Sequence, residues 1–338
     1  MANCYCCKQR YTWTLPDPRR LRYDQDKYSG RFMELFQLTN PIYLFYLPSH
    51  FKCARHIINT IEVDGYRPWH VTNNQIWQAK TAYDSTFGRT GQKVQFFARP
   101  KFYVPLKTLL FFGMLTYYKD PMHLIAFQVI NQAFNLNVIR NQRNPPADPT
   151  TLQQITSFLF GSLASASTAF YLQRYLRAQC ATKLMMKLVP FFAVAAAHCV
   201  STPFIRAQEM FEGKPVFDCC GCKLGVSKFV SHKSVTLDIL VNILKVAPPL
   251  VLTPYALDWM KNNGTMCRFP WLKYPAPIGI LFVSLALISP LVGAFFRQRR
   301  TIAFSNLDHE LRCKAASKVY YGKTPDYVCY CAGPPLPF

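Results

Sequence analysis

The chain has 338 residues, 50% hydrophobic, 15% aromatic and only 17% charged, a balance that excludes intrinsic disorder, which needs few apolar residues and many charges. Its 14 Gly and 25 Pro follow no period, so a collagen-like or low-complexity chain is excluded too. With 39 Lys and Arg against 17 Asp and Glu, the formal charge is +22; a chain both basic and apolar meets anionic lipid or sits in a larger assembly, and the dispersed charges argue against nucleic acid.

The first twenty residues hold no apolar core of a signal sequence and no Arg/Ser-rich amphipathic pattern, so neither a secretory signal nor a cleaved transit peptide is expected. Asn40-Pro41 opens a short apolar stretch to Pro48 that reads as interfacial or re-entrant. From Ser49 to Val63, apolar Phe51, Ala54, Ile57, Ile58 and Ile61 recur at helical spacing among basic residues, which predicts an amphipathic surface helix. Five membrane spans are expected, at Phe102–Tyr118, Ile155–Leu172, Leu188–Phe204, Val235–Leu257 and Ala276–Phe296. The last has no charge in 21 residues and meets the length needed to cross about 30 Å of hydrocarbon. The second is rich in Gly, Ala and Ser, which let membrane helices approach closely.

The expected organisation is all-α and multi-pass: residues 1–101 form an amphipathic and interfacial region, 102–300 a transmembrane bundle, and 301–338 a polar, loosely ordered tail. Five spans put the two termini on opposite faces, and the Lys/Arg excess puts the N-terminus in the negative compartment. Pro190, Pro203, Pro248, Pro249, Pro254 and Pro290 interrupt the apolar runs, and each either ends a helix or breaks one to line a substrate path.

Polar groups at bilayer depth are costly and face either a partner or a water-filled path. Asn131 and Asn135 share a helix face beside Gln132, as substrate ligands or as interhelical glue. His198 and Ser201 stand three residues apart, able to pass a proton or to form a structural hydrogen bond. Asp238, Asn242 and Lys245 lie along one face, as an intrahelical charge relay or as a boundary acid with a snorkelling lysine. Arg206 and Glu209 pair with each other or meet a substrate carboxylate.

Thirteen cysteines cluster at Cys4, Cys6, Cys7, at Cys219, Cys220, Cys222, and at Cys329, Cys331, without the paired spacing of a zinc site, so no metal or cofactor is expected. No phosphate-binding, dinucleotide, zinc-protease or nucleophile-elbow motif occurs, and no enzyme is expected.

Several elements, in order and at spacing, resemble the sideroflexins, multi-pass carriers of the mitochondrial inner membrane. They are Tyr23-Asp24-Gln25 with Gly30-Arg31-Phe32; Trp77-Gln78-Ala79-Lys80 with Tyr83-Asp84-Ser85-Thr86-Phe87; Asn131-Gln132-Ala133-Phe134-Asn135; and Pro203-Phe204-Ile205-Arg206-Ala207-Gln208-Glu209. The likeness runs from about Trp13 to Tyr321. It departs at Gly88-Arg89-Thr90-Gly91-Gln92, which lacks the family's His, Pro and acids, at Ala197-His198-Cys199-Val200-Ser201-Thr202-Pro203, which loses two asparagines, and at Asn242, where an Arg is expected. The resemblance implies secondary transport of small neutral amino acids such as serine, in contact with anionic lipid such as cardiolipin. The alternative is a transport-inactive structural subunit with protein partners in a larger membrane complex.

Overall fold

The computed structural model describes residues 22–40, 42, 45–46, 48–62, 70–86, 96–141, 149–217, 223–297, 299–303, 308, 311 and 327–331. Helices α1 (Tyr28–Leu38), α2 (Pro48–Glu62) and α3 (Asn73–Asp84) precede a hairpin of α4 (Pro100–Thr116) and α5 (Pro121–Asn141). Then come α6 (Thr151–Ala178), α7 (Lys183–Ile205), α8 (Ala207–Glu212), β1 (Lys214–Phe217), β2 (Lys223–Ser227) and α9 (Lys228–Asn262). The one-turn α10 (Thr265–Arg268), α11 (Pro275–Phe295), β3 (Arg299–Ala303) and β4 (Tyr327–Cys331) complete the order.

The long helices begin where a hydroxyl can accept from an unpaired N–H. Thr150 and Gln153 form a reciprocal capping box at α6, Thr182 accepts from Met185 at α7, and Ser227 accepts from Val230 at α9. Helices α6, α7, α9 and α11 are each long and apolar enough to cross a membrane. Their outward side chains are apolar, among them Leu159, Leu163, Leu240, Leu252, Val283 and Leu287, as a lipid-facing surface requires. Inside, Phe111, Met114, Leu124, Val189, Val194, Leu250, Leu281 and Leu285 form the core. Along α6, Ser157, Gly161, Ser165 and Ala169 are buried at four-residue spacing. A Cβ at Gly161 would lie 2.9 Å from the Ser201 Cβ, so glycine lets α6 and α7 close on each other, as the small residues of this span led us to expect.

The first expected span is a shorter element. α4 has 17 residues, about 25 Å of helix, and the chain turns at once into α5, whose Gln128, Asn131, Gln132 and Asn135 keep it from reading as a span. Gln173 and Arg177, at the end of α6, donate to the carbonyls of Tyr118 and Lys119 and hold that turn at the end where α6 finishes.

This hairpin corrects the expectation that the termini lie on opposite faces. α4 and α5 run out and back beside the four long helices, so the described N- and C-terminal elements share one side of the bundle. Arg31 Nε donates to Ala294 O at 2.7 Å and Tyr28 Oη to Leu291 O at 3.2 Å, tying α1 to the end of α11. On that side β2-β1-β4-β3 form an antiparallel sheet in which β4, from the tail expected to be loosely ordered, is inserted between β1 and β3, with Val216 opposite Tyr330 and Thr301 opposite Cys329. Val216, Val230, Ile302, Leu311 and Tyr330 make its core. We call this the sheet side and the opposite end the hairpin side.

Two other expectations change. The prolines do not break their helices: α7 runs through Pro190 and Pro203, and α9 through Pro248, Pro249 and Pro254. In a membrane bundle packed neighbours re-satisfy the backbone groups that a proline frees, so these helices continue through their prolines. The amphipathic α2 buries Phe51, Ala54 and Ile58 against Ala79 and Ala82 of α3, so its apolar face is covered by protein. Of the stretch 40–48 read as re-entrant, residues 41, 43, 44 and 47 lie outside the described residues, as do Gly88-Arg89-Thr90-Gly91-Gln92 and the cysteines at 4–7 and 219–222.

Candidate functional site

Midway along α4 stands a lysine that the sequence reading passed over. Lys107 is 1% exposed. Its Nζ donates to Asn131 Oδ1 at 2.5 Å and Asn135 Oδ1 at 2.7 Å, and the rings of Tyr103, Phe111 and Phe134 surround it at 5.5–5.8 Å. The expected sharing of one α5 face by Asn131 and Asn135 is realised here, with both directed at α4. Aromatic faces attract a cation, so the cage and the two oxygens together hold the ammonium.

The bonds to Lys107 settle which way both amides point. An ammonium only donates, so each Asn turns its oxygen toward Lys107 and its NH₂ away. Both Nδ2 atoms are buried without a hydrogen-bond partner, and so is Nε2 of Gln132, whose Oε1 points toward Gly161 of α6. Gln128, one turn earlier, donates to Pro190 O at 3.3 Å and leaves a buried Oε1 with no donor. A buried polar atom without a partner costs about 1–3 kcal/mol. Three such donors and one acceptor beside one cation on neighbouring turns form a set able to take a carboxylate and an ammonium together.

His198, half-buried on α7, lies within electrostatic range of both Lys107 and Lys245. Ser201 does not pair with it; the Ser201 carbonyl accepts from Ser157 Oγ at 2.8 Å and ties α7 to α6. Asn242 is half-buried on α9 and makes no hydrogen bond to another described residue. Lys245 is 7% exposed and forms no ion pair with Asp238, so the intrahelical relay is not built.

Asp238 reaches across the bundle instead. Its carboxylate meets Arg206 at the end of α7 and Arg300 of β3 at 3.7 Å. Arg206 also faces Glu209 at 3.8 Å, and Glu209 accepts from Lys214 Nζ at 3.4 Å. Lys214 also donates to Ser234 Oγ at 3.1 Å. Burial pulls the Lys214 ammonium below the ordinary lysine range, helped by Arg206 and opposed by Glu209 and Asp238. Arg206 and Glu209 therefore belong to an ion network at the sheet side, about 12 Å along α7 from His198, and not to the amide cluster. At the hairpin side Lys187 of α7 pairs with Asp258 of α9. The two α9 carboxylates, twenty residues or about 30 Å apart, thus clamp α7 to α9 at both ends of the membrane-spanning stretch.

Among the described residues no group of three or more His, Cys, Asp or Glu could hold a metal ion. Lys107 and Gln128 are the site residues that sequence reasoning missed. The signal for Lys107 was present, since a lone lysine in an otherwise apolar stretch reads as functional at bilayer depth.

The family model described as Sideroflexins matches residues 17–333. Over 309 residues the chain is 29% identical to "Sideroflexin-1" of Ovis aries, covering 89% of this chain and 95% of that protein. It is 31% identical over 311 residues to "Sideroflexin-3" of Homo sapiens, with the same coverage. Against "Sideroflexin-1-3" of Drosophila melanogaster it is 32% identical over 294 residues, covering 86% of this chain and 90% of that one. No solved structure matches. The match takes in the amide cluster, the α7–α9 clamps and nearly all of both terminal regions, and the chain belongs to the sideroflexin family.

Proposed function

We propose that this protein is a secondary transporter of small neutral amino acids, serine-like in size, in the mitochondrial inner membrane. The observation that carries the reading is the buried set of Lys107, Asn131, Gln132, Asn135 and Gln128: a cation and amide N–H groups suit a carboxylate, and the vacant Gln128 oxygen suits an α-ammonium. A short side chain fits because Gly161 and Ser201 leave little room beside Gln132. The resemblance to a carrier family supports both the substrate class and the membrane. Alternating access then takes the form of the α4–α5 hairpin rocking against the clamped α7–α9 pair, since bundles in such carriers move around a fixed site near mid-depth.

Uptake of labelled serine into liposomes holding the purified chain tests this. Wild type accumulates serine saturably, and Asn135→Ala lowers apparent affinity about tenfold by removing a charge-assisted contact worth about 1.5–3 kcal/mol. Thermal stability changes little, because the lost bond from Lys107 is offset by removal of a buried Nδ2 that has no partner. A stability loss with unchanged affinity assigns Asn135 to packing. Absence of uptake, with co-migration in a large assembly in mild detergent, replaces transport by the structural-subunit reading.

Orientation is open to a separate measurement. The N-terminal helices and the sheet gather cations on the sheet side, which favours the matrix for that side. Tags at the two ends of the chain are expected to share one fate: protease added to mitoplasts spares both. Cleavage of both reverses the orientation, and cleavage of one alone contradicts the out-and-back course of the α4–α5 hairpin.

A further inference from the structure

Lys107 and the α5 amides account for one carboxylate and leave Lys245 without a task. Lys245 lies on α9, 7% exposed, and a Cβ placed on Gly293 would sit 3.9 Å from its Cε, so its stem runs into the α9–α11 interface. It makes no hydrogen bond or ion pair with any described residue. The acid that acts on it is Asp238, two turns earlier and about 10 Å along the helix, and Arg206 and Arg300 already engage that carboxylate. Lys245 and Lys107 are both buried within the helix bundle, 7% and 1% exposed. No carboxylate lies within ion-pair distance of either lysine among the described residues.

An uncompensated ammonium at bilayer depth is among the costliest groups a membrane protein can hold, and its usual remedy is a partner of opposite sign. A zwitterion at Lys107 adds no net charge, so filling that site leaves the interior as positive as before. Snorkelling does not serve Lys245, which lies seven residues inside the Asp238 ion network and is shielded by α11.

Building on the transport reading, we infer that Lys245 anchors a second site, for a small monovalent anion, so that the transported unit is an amino acid together with an anion. Chloride and a short carboxylate share the chemistry required, a compact negative charge that accepts from an ammonium.

The first measurement uses the full chain in detergent with no amino acid. At equal ionic strength, sodium chloride in place of sodium gluconate raises Tm by roughly 3 °C, as binding to the folded state requires. Lys245→Gln abolishes the shift, Lys245→Arg keeps part of it, and Lys107→Gln retains it. Sodium acetate in a parallel series separates the sources: a shift with chloride alone assigns an inorganic anion, and one with acetate alone assigns a carboxylate. No shift with either anion in wild type, or an equal shift in Lys245→Gln, overturns the inference. In liposomes, replacing chloride by gluconate lowers serine uptake at least fivefold in wild type and leaves Lys245→Gln unaffected. If no serine moves but the chloride shift persists and depends on Lys245, the anion site stands and the transport reading falls. If serine moves without any anion effect, the reverse holds.

Discussion

Lys107→Met is expected to reduce the apparent affinity for serine by about 100-fold or more while leaving the protein folded. Two effects combine: the ammonium that meets the carboxylate is gone, and the bonds that turn the NH₂ groups of Asn131 and Asn135 into the interior go with it. Two charge-assisted contacts at about 1.5–3 kcal/mol each give that factor. The stability change is small because two terms oppose each other. Asn131 and Asn135 lose the donor to their oxygens, but a buried ammonium no longer has to be desolvated, and a methionine of similar length fills the cage of Tyr103, Phe111 and Phe134. Liposome uptake read alongside Tm on one preparation checks the claim. A large fall in Tm with affinity per folded molecule unchanged would mean that Lys107 only braces α4 against α5.

The largest loss of stability is expected from Asp238→Asn. The carboxylate lies between Arg206 and Arg300, with the three side chains 17%, 13% and 12% exposed, and its removal leaves two guanidiniums facing each other with little water. Breaking a buried pair by removing one partner costs about 3–5 kcal/mol. Tm in detergent should fall by many degrees, and Arg206→Gln added to Asp238→Asn should restore part of the loss, because it removes the charge that was stranded. Limited proteolysis should then cut near β3 and β4 in the single variant, since Arg300 no longer holds the sheet to α9. Unchanged Tm in Asp238→Asn would show that water screens the network and that the clamp at this end is weak.

Much of this protein was legible along the chain. The runs at 155–172, 188–204, 235–257 and 276–296 fall within α6, α7 and α9 and within one residue of α11, because apolar length is a local property that the bilayer reads directly. The Asn131 and Asn135 pairing was legible too, because a four-residue spacing puts two side chains on one helix face whatever surrounds it. Family membership rested on short elements in fixed order, which need no folding to be read.

Tertiary structure alone decided the rest. That α4 turns back into α5, and so brings both ends of the chain to one side, depends on Gln173 and Arg177 gripping the carbonyls of Tyr118 and Lys119 more than fifty residues away. That Asp238 serves Arg206 and Arg300 and leaves Lys245 alone depends on α7, α9 and β3 meeting in space; the pattern along α9 pointed to an intrahelical relay. The sheet needed β4 to cross from the end of the chain to β1, over a hundred residues earlier, and a five-residue strand carries no mark of its partner. Periodicity records which way a side chain points, while the identity of its partner is set by packing between distant segments, and in a bundle with a polar interior that choice makes the site.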